Sequence, residues 1–194
     1  MRLQQGDALI VVDVQRDFLP GGALAVPEGD GVVPVLNRYL ESFHEAGLPI
    51  VATRDWHPPN HCSFAEQGGS WPPHCVQGTP GAEFAEQLQL PSDALVISKA
   101  TSTEKDAYSG FDGTDLERRM HDAGVRRVFV GGLATDYCVL ATVKDAVRAG
   151  FEVLVLGDAV RAVEVSPGDG GKALQAMLTD GATIIDQNAI GTDG

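Results

Sequence analysis

Residues 127–138 read Arg-Val-Phe-Val-Gly-Gly-Leu-Ala-Thr-Asp-Tyr-Cys, and residues 139–149 continue as a helical pattern that closes at Gly150. The apolar start predicts a strand buried on both faces, and the segment after Cys138 predicts a helix. Cys138 would then lie on the first turn of that helix, where unpaired backbone N–H groups carry positive partial charge. Because such a position lowers the pKa of a thiol and favours the thiolate, the stretch predicts a nucleophile at the end of a strand.

The same alternation of apolar runs and helical patterns extends along the chain in both directions. The predicted strands are residues 8–12, 50–53, 94–97, 128–131, 153–156 and 183–185. The predicted helices are residues 32–43, 114–123, 139–149 and 172–179. This pattern is typical of the α/β class, and it predicts a six-stranded parallel sheet between two layers of helices, an α/β/α arrangement with right-handed crossovers. With no linker and no internal repeat, residues 1–194 are expected to form a single domain.

Charge and composition exclude several classes of partner. The formal net charge of −13 disfavours nucleic acid and anionic membrane, which both require a basic surface. There is no apolar run long enough for a membrane span and no start typical of a signal peptide. The cysteine count of 3 is odd, which favours a reducing compartment, so we expect a cytoplasmic protein that acts on a small molecule.

Two long irregular stretches rich in glycine and proline interrupt the alternation, at residues 17–31 and 56–81. Loops of this length in a compact fold are usually functional. Each leaves the carboxyl end of a predicted strand, where open α/β sheets place their ligands.

Asp13 ends the first predicted strand and Lys99 ends the third. Taken alone, Asp13 could equally cap a turn, and Lys99 could extend to the surface. Together with Cys138 they predict a catalytic set. In this set Asp13 takes the thiol proton and later gives it to a leaving amine, Lys99 keeps the aspartate ionised, and Cys138 attacks a carbonyl carbon. The backbone amides of Ala134 and Cys138 could hold the oxyanion, and a strained or cis peptide is expected near Leu133-Ala134.

Asp55, His57 and His74 follow the second strand and predict a divalent metal site, with zinc favoured and iron or manganese as alternatives. The alternative is that these histidines are ordinary loop residues at the surface. Further ligands could come from a second group of residues, either directly or through water: His61, Ser63 and Glu66. Cys62 and Cys75 flank the loop and are interpreted as ordinary buried or half-buried thiols, since neither belongs to a Cys-x-x-Cys pair.

These residues resemble one family, the nicotinamidases (also called pyrazinamidases) within the isochorismatase-like cysteine hydrolases. The resemblance covers nearly the whole chain. It is carried by residues 13–18, 20–24, 53–58, 71–79, Lys99 and 132–139.

The resemblance implies a sheet of strand order 3-2-1-4-5-6 and the hydrolysis of nicotinamide to nicotinate and ammonia through a cysteine thioester, within NAD salvage. Pyrazinamide would be converted to pyrazinoate in the same way. Asp13, Lys99 and Cys138 would form the triad, and the metal would hold the pyridine nitrogen. Phe18, Trp71 and Tyr108 would form aromatic walls around the flat ring. Some relatives have a histidine where this chain has Ser63, which leaves the number of metal ligands open.

Two other functions remain possible from the residues alone. The first is a related cysteine hydrolase of another small amide, such as a carbamoyl or ureido compound, which would need no metal. The second is a non-catalytic protein that binds nicotinamide-like rings. A symmetric homodimer is the default expectation for a soluble enzyme.

Overall fold

A computed structural model describes residues 1–190 as a parallel sheet of order β3-β2-β1-β4-β5-β6 with helices on both faces. The strands are β1 (Asp7–Val12), β2 (Ile50–Asp55), β3 (Leu95–Lys99), β4 (Arg127–Leu133), β5 (Glu152–Arg161) and β6 (Thr183–Ile185). The helices are α1 (Val32–Glu45), α2 (Leu116–Asp122), α3 (Leu140–Arg148) and α4 (Asp169–Thr179). The predicted fold class and strand order are confirmed. That the whole chain forms one domain stays a prediction, and residues 191–194 lie outside the described part of it.

The central strand β1 divides the core into two halves. Leu9 and Val11 face a cluster that includes Leu36 and Phe43 of α1. Residues 8, 10 and 12 of the same strand face the opposite cluster, which α2, α3 and α4 cover. Successive side chains of a strand point to opposite faces, so the continuous apolar run of β1 is what a strand covered on both sides requires.

The nucleophile segment differs from its predicted form. A π-helical turn over Thr135–Val139 precedes α3, so the regular helix begins two residues after Cys138. Single π turns of this kind are frequent at functional sites. The expected cis peptide is present between Leu133 and Ala134.

Gly132 allows β4 to lie against β1 near the carboxyl ends of the two strands. Its φ is +124°, and a Cβ added there would lie 2.1 Å from the carbonyl oxygen of Val12. No side chain fits that gap, and L-residues rarely adopt that conformation. Among residues 1–190, none of the helices combines the length and apolar character needed to cross a bilayer.

We expect Gly132→Ala to lower the free energy of unfolding by roughly 3 kcal/mol or more, since it adds a backbone clash to an unfavourable φ. Gly150→Ala is the matched control, because Gly150 also has a positive φ (+87°) but open space around its Cα. That control should cost only about 1–2 kcal/mol. Urea unfolding of both variants measures the difference, and equal losses would show that the close approach to Val12 is unimportant.

Candidate active site

Four neighbouring strands end at the edge of the sheet where the predicted catalytic residues meet. β3 ends at Lys99 and β2 at Asp55, which are paired in the strand register. β1 ends one residue before Asp13, and the turn after β4 carries Cys138. Open parallel sheets place their sites at this edge, where the strand order reverses beside β1.

The ammonium group of Lys99 lies at the centre of this site. Its Nζ is 2.9 Å from Asp13 Oδ2 and 2.5 Å from Asp55 Oδ1. It also donates hydrogen bonds to Cys138 Sγ at 3.4 Å and to the carbonyl of Ala107 at 3.1 Å. Lys99 is only 1% exposed, so these contacts replace the water that a surface lysine would have.

Asp13 has one occupied and one available carboxylate oxygen. Oδ1 accepts a hydrogen bond from the Thr53 hydroxyl at 2.6 Å. Oδ2 is the atom paired with Lys99, and among the described residues it accepts no well-aligned hydrogen bond. A carboxylate oxygen of Asp13 lies within 4.8 Å of Cys138 Sγ, close enough for a proton to pass directly or through one water.

Burial shifts the pKa values of Cys138 and Asp13. It raises the pKa of the Cys138 thiol well above its usual value, despite the opposing charge of Lys99. The prediction of a lowered thiol pKa is therefore wrong, because the sulfur is enclosed and lies near two carboxylates. Burial also raises the pKa of Asp13, which makes it a better proton acceptor, and the two carboxylates outweigh the effect of burial on Lys99 and raise its pKa.

Asp55, His57 and His74 form a second buried group beside the first. Each offers one ligand atom, and the three atoms lie within 4.8 Å of one another. His57 Nε2 is 3.6 Å from Asp55 Oδ2. One carboxylate oxygen and two imidazole nitrogens, all shielded from solvent, fit a divalent metal such as zinc and leave coordination positions open for a ligand.

Backbone carbonyls orient both imidazoles. His57 Nδ1 faces the carbonyl of Ala100 at 3.3 Å, and His74 Nδ1 faces that of Pro72 at 2.7 Å. When Nδ1 carries the proton that these carbonyls accept, Nε2 has its lone pair free for a metal. Burial lowers the pKa of His74, which keeps that ring neutral as ligation requires.

Asp55 is held as a carboxylate. Burial alone would raise its pKa, but Lys99 and His57 outweigh that effect and bring the pKa below its ordinary value. The same carboxylate thus contacts the Lys99 ammonium through one oxygen and faces the His57 imidazole with the other.

His61 lies next to this group without joining it. Its ring packs against that of His57 at a tilt of 34°, with centroids 4.2 Å apart, and its Nδ1 is 2.7 Å from the Ser63 hydroxyl. The hydroxyl of Ser63 is therefore occupied by His61, and Glu66 lies exposed on a short 3-10 turn. A part for these three residues in metal binding stays a prediction.

Cys62 and Cys75 are free thiols, half-buried and buried respectively, as the sequence predicted.

The predicted aromatic walls lie in two places. The ring of Phe18 packs 5.6 Å from that of His74. The indole N–H of Trp71 donates to the Tyr108 hydroxyl at 2.9 Å. Tyr137 joins that pair, with ring centroids 5.1 Å from Trp71 and 5.6 Å from Tyr108. The sequence reasoning missed Tyr137, although its position directly before the nucleophile could have indicated it.

The turn that carries Cys138 is closed by the carbonyl of Ala134, which accepts hydrogen bonds from the amides of Tyr137 and Val139 at 3.1 and 3.0 Å. The amide of Cys138 lies between those two donors in the sequence. Its use as an oxyanion donor, together with that of Ala134, remains a prediction.

Residues 7–189 match the isochorismatase domain. The chain belongs to the isochorismatase family. It is 40% identical to the nicotinamidase of Escherichia coli (strain K12), with 91% of this chain and 93% of that protein aligned.

Two solved structures share the fold over almost their full length. One is a pyrazinamidase of Pyrococcus horikoshii in complex with zinc, at TM-score 0.90 and 56% identity, covering 93% of this chain and 99% of that one. The other is a protein of L. infantum in complex with nicotinate, at TM-score 0.90 and 36% identity, covering 100% and 99%. The family named by the sequence resemblance is thus confirmed.

We expect His57→Ala and His74→Ala to weaken zinc binding by more than about 100-fold, because each removes a ligand rather than a residue that only supports one. His61→Asn should weaken it by only about tenfold, since the His61 ring supports His57 by packing against it. Competition with a chromogenic chelator measures all three affinities. An equal loss in His61→Asn would make His61 a ligand and contradict the three-residue site.

Proposed function

We propose that this protein is a metal-containing amidohydrolase that converts nicotinamide to nicotinate and ammonia, and pyrazinamide to pyrazinoate. The observation that carries the proposal is the position of the Lys99 ammonium, which touches Asp13, Asp55 and Cys138 at once. It places a base and a nucleophile directly beside a group of residues suited to a metal. The similarity to nicotinamidases and pyrazinamidases over nearly the whole chain supports the same substrate class.

The first half of the reaction forms a thioester. Asp13 takes the proton of Cys138 as Sγ attacks the amide carbon, and a C–S bond forms while the carbonyl oxygen becomes an oxyanion. The amides of Ala134 and Cys138 stabilise that oxyanion. The C–N bond then breaks, Asp13 gives its proton to the leaving nitrogen, and ammonia departs.

The second half returns the enzyme to its starting state. Asp13 removes a proton from a water molecule, which attacks the thioester carbon. The C–S bond breaks, the proton held by Asp13 returns to the sulfur, and the product leaves as nicotinic acid, which loses its carboxyl proton to water and becomes nicotinate. Lys99 remains charged throughout, which favours the ionised form of Asp13 whenever that residue acts as the base.

In this proposal the metal binds the ring of the substrate. Asp55, His57 and His74 would hold the ion, with zinc favoured and iron or manganese as alternatives. When bound, it supplies a Lewis-acid contact for the pyridine nitrogen. Phe18, Trp71 and Tyr108 would enclose the ring, since flat aromatic faces suit a flat heteroaromatic ligand. Tyr137 extends that wall through its contacts with Trp71 and Tyr108.

The wider setting belongs to the same proposal. The reaction would serve NAD salvage in the cytoplasm, with nicotinamide or an analogue as the small-molecule partner. The absence of nucleic-acid and membrane partners and the homodimer remain predictions from the sequence.

The proposal is tested by ammonia release from nicotinamide in the zinc-loaded protein. Cys138→Ala should abolish activity because the covalent step is lost, and Asp13→Ala should reduce it by about 10²–10⁴-fold, as expected for removal of a general acid–base. Cys62→Ala removes a thiol outside the site and should retain activity.

Two results would contradict the proposal. The first is a zinc-loaded wild-type protein that releases no ammonia from nicotinamide. Hydrolysis of carbamoyl or ureido compounds instead, unaffected by His57→Ala, would favour the alternative amide hydrolase.

A further inference from the structure

Residues 13–17 directly follow β1. Asp13, Gln15 and Asp17 of this stretch face the Lys99 cluster and the segments that carry Asp55 and His74. Asp13 contacts Lys99. Gln15 and Asp17 contact neither the thiol nor the ammonium; they bind the backbone of the segments that carry the metal ligands. The reaction proposed above gives these two side chains no part.

Gln15 clamps both backbone groups of Asp55 with one side-chain amide. Its Nε2 donates to the Asp55 carbonyl at 2.8 Å and to the Ala82 carbonyl at 2.9 Å, and its Oε1 accepts from the Asp55 amide at 2.8 Å. Gln15 is 0% exposed, so water cannot replace these bonds. Only a side chain that donates and accepts at once satisfies all three groups.

Asp17 binds the backbone of the segment after His74 through its carboxylate. Its Oδ2 accepts from the Cys75 amide at 2.7 Å, and its Oδ1 accepts from the Ala23 amide at 3.2 Å. The space for this carboxylate exists because residue 81 is glycine: a Cβ there would lie 2.2 Å from Asp17 Oδ2.

Cys75 connects the two histidine ligands. It follows His74 directly, and its carbonyl accepts a hydrogen bond from the His57 amide at 3.0 Å. Its φ of +46° is in the left-handed region, which a non-glycine residue adopts only when its surroundings hold it there. Asp17 holds the amide side of this residue, and His57 holds its carbonyl side.

We propose that Gln15 and Asp17 are positioning residues that fix Asp55 and His74 in the geometry a metal requires. The same stretch of backbone carries the base Asp13, so it would position both the base and the metal ligands. The inference rests on the metal site of the proposed function. Residues that orient metal ligands from behind typically contribute about 10–100-fold to metal affinity.

Arg16 provides a matched control between the two. Its side chain points to solvent and pairs with Glu86 at 2.7 Å, with both partners exposed. Loss of that pair should change stability little and leave both ligand segments in place.

The experiment measures zinc affinity by chelator competition in the full chain with Gln15→Glu, Asp17→Asn or Arg16→Ala. Glutamate at 15 cannot donate to the two carbonyls, and asparagine at 17 sets an amide group against one of the two N–H donors. We expect zinc binding about 10–100-fold weaker in Gln15→Glu and about tenfold weaker in Asp17→Asn, with Arg16→Ala unchanged. Activity of Asp17→Asn should return when zinc is raised to saturation. If Gln15→Glu fails to fold, Asp17→Asn still provides the test.

Wild-type affinity in both Gln15→Glu and Asp17→Asn would overturn the inference, as would an equal loss in Arg16→Ala. A wild-type chain that binds no zinc would overturn the metal site itself and the inference with it. The expected pattern of zinc affinities in a wild-type chain that releases no ammonia from nicotinamide would support the inference and contradict the proposed reaction.

Discussion

The site depends on one buried ammonium group. Lys99 is almost fully enclosed, and an isolated charge in that position would be very unfavourable. It is tolerated because Asp13 and Asp55 both lie within 3 Å of it, and its charge in turn favours the ionised form of both carboxylates. Removing Lys99 would leave two buried carboxylates facing each other with no counter-charge, whereas removing one aspartate would leave a balanced ion pair.

The parallel sheet brings these charged residues together because its strands end at a common edge. In the order β3-β2-β1-β4, each of four adjacent strands contributes one residue at or just beyond its carboxyl end. The loops over this edge then enclose the site. Their enclosure raises the pKa of the Cys138 thiol, so the proposed reaction needs Asp13 to take its proton.

The sequence predicted the fold well because its signals are local. Continuous apolar runs gave the strands, and glycine after each helical pattern gave the helix ends. Asp13, Lys99 and Cys138 could be predicted because each follows or ends such a run, and parallel strands end at a common edge. The direction of the thiol pKa shift could not be predicted, because it depends on burial by residues that are distant in the sequence. Gln15 and Asp17 lie in a stretch that carries the family resemblance, but the sequence did not indicate their role, since they act through hydrogen bonds to the backbone of other loops.

The central claim is that the proton of Cys138 passes to Asp13 so that the sulfur can form a thioester. Rapid acid quenching during turnover of nicotinamide, followed by peptide mass spectrometry, tests it most directly. The account predicts a nicotinoyl group on Cys138 in the wild-type protein and little or none in Asp13→Asn. Steady ammonia release with no acyl group on Cys138, or acylation at the wild-type rate in Asp13→Asn, would contradict it.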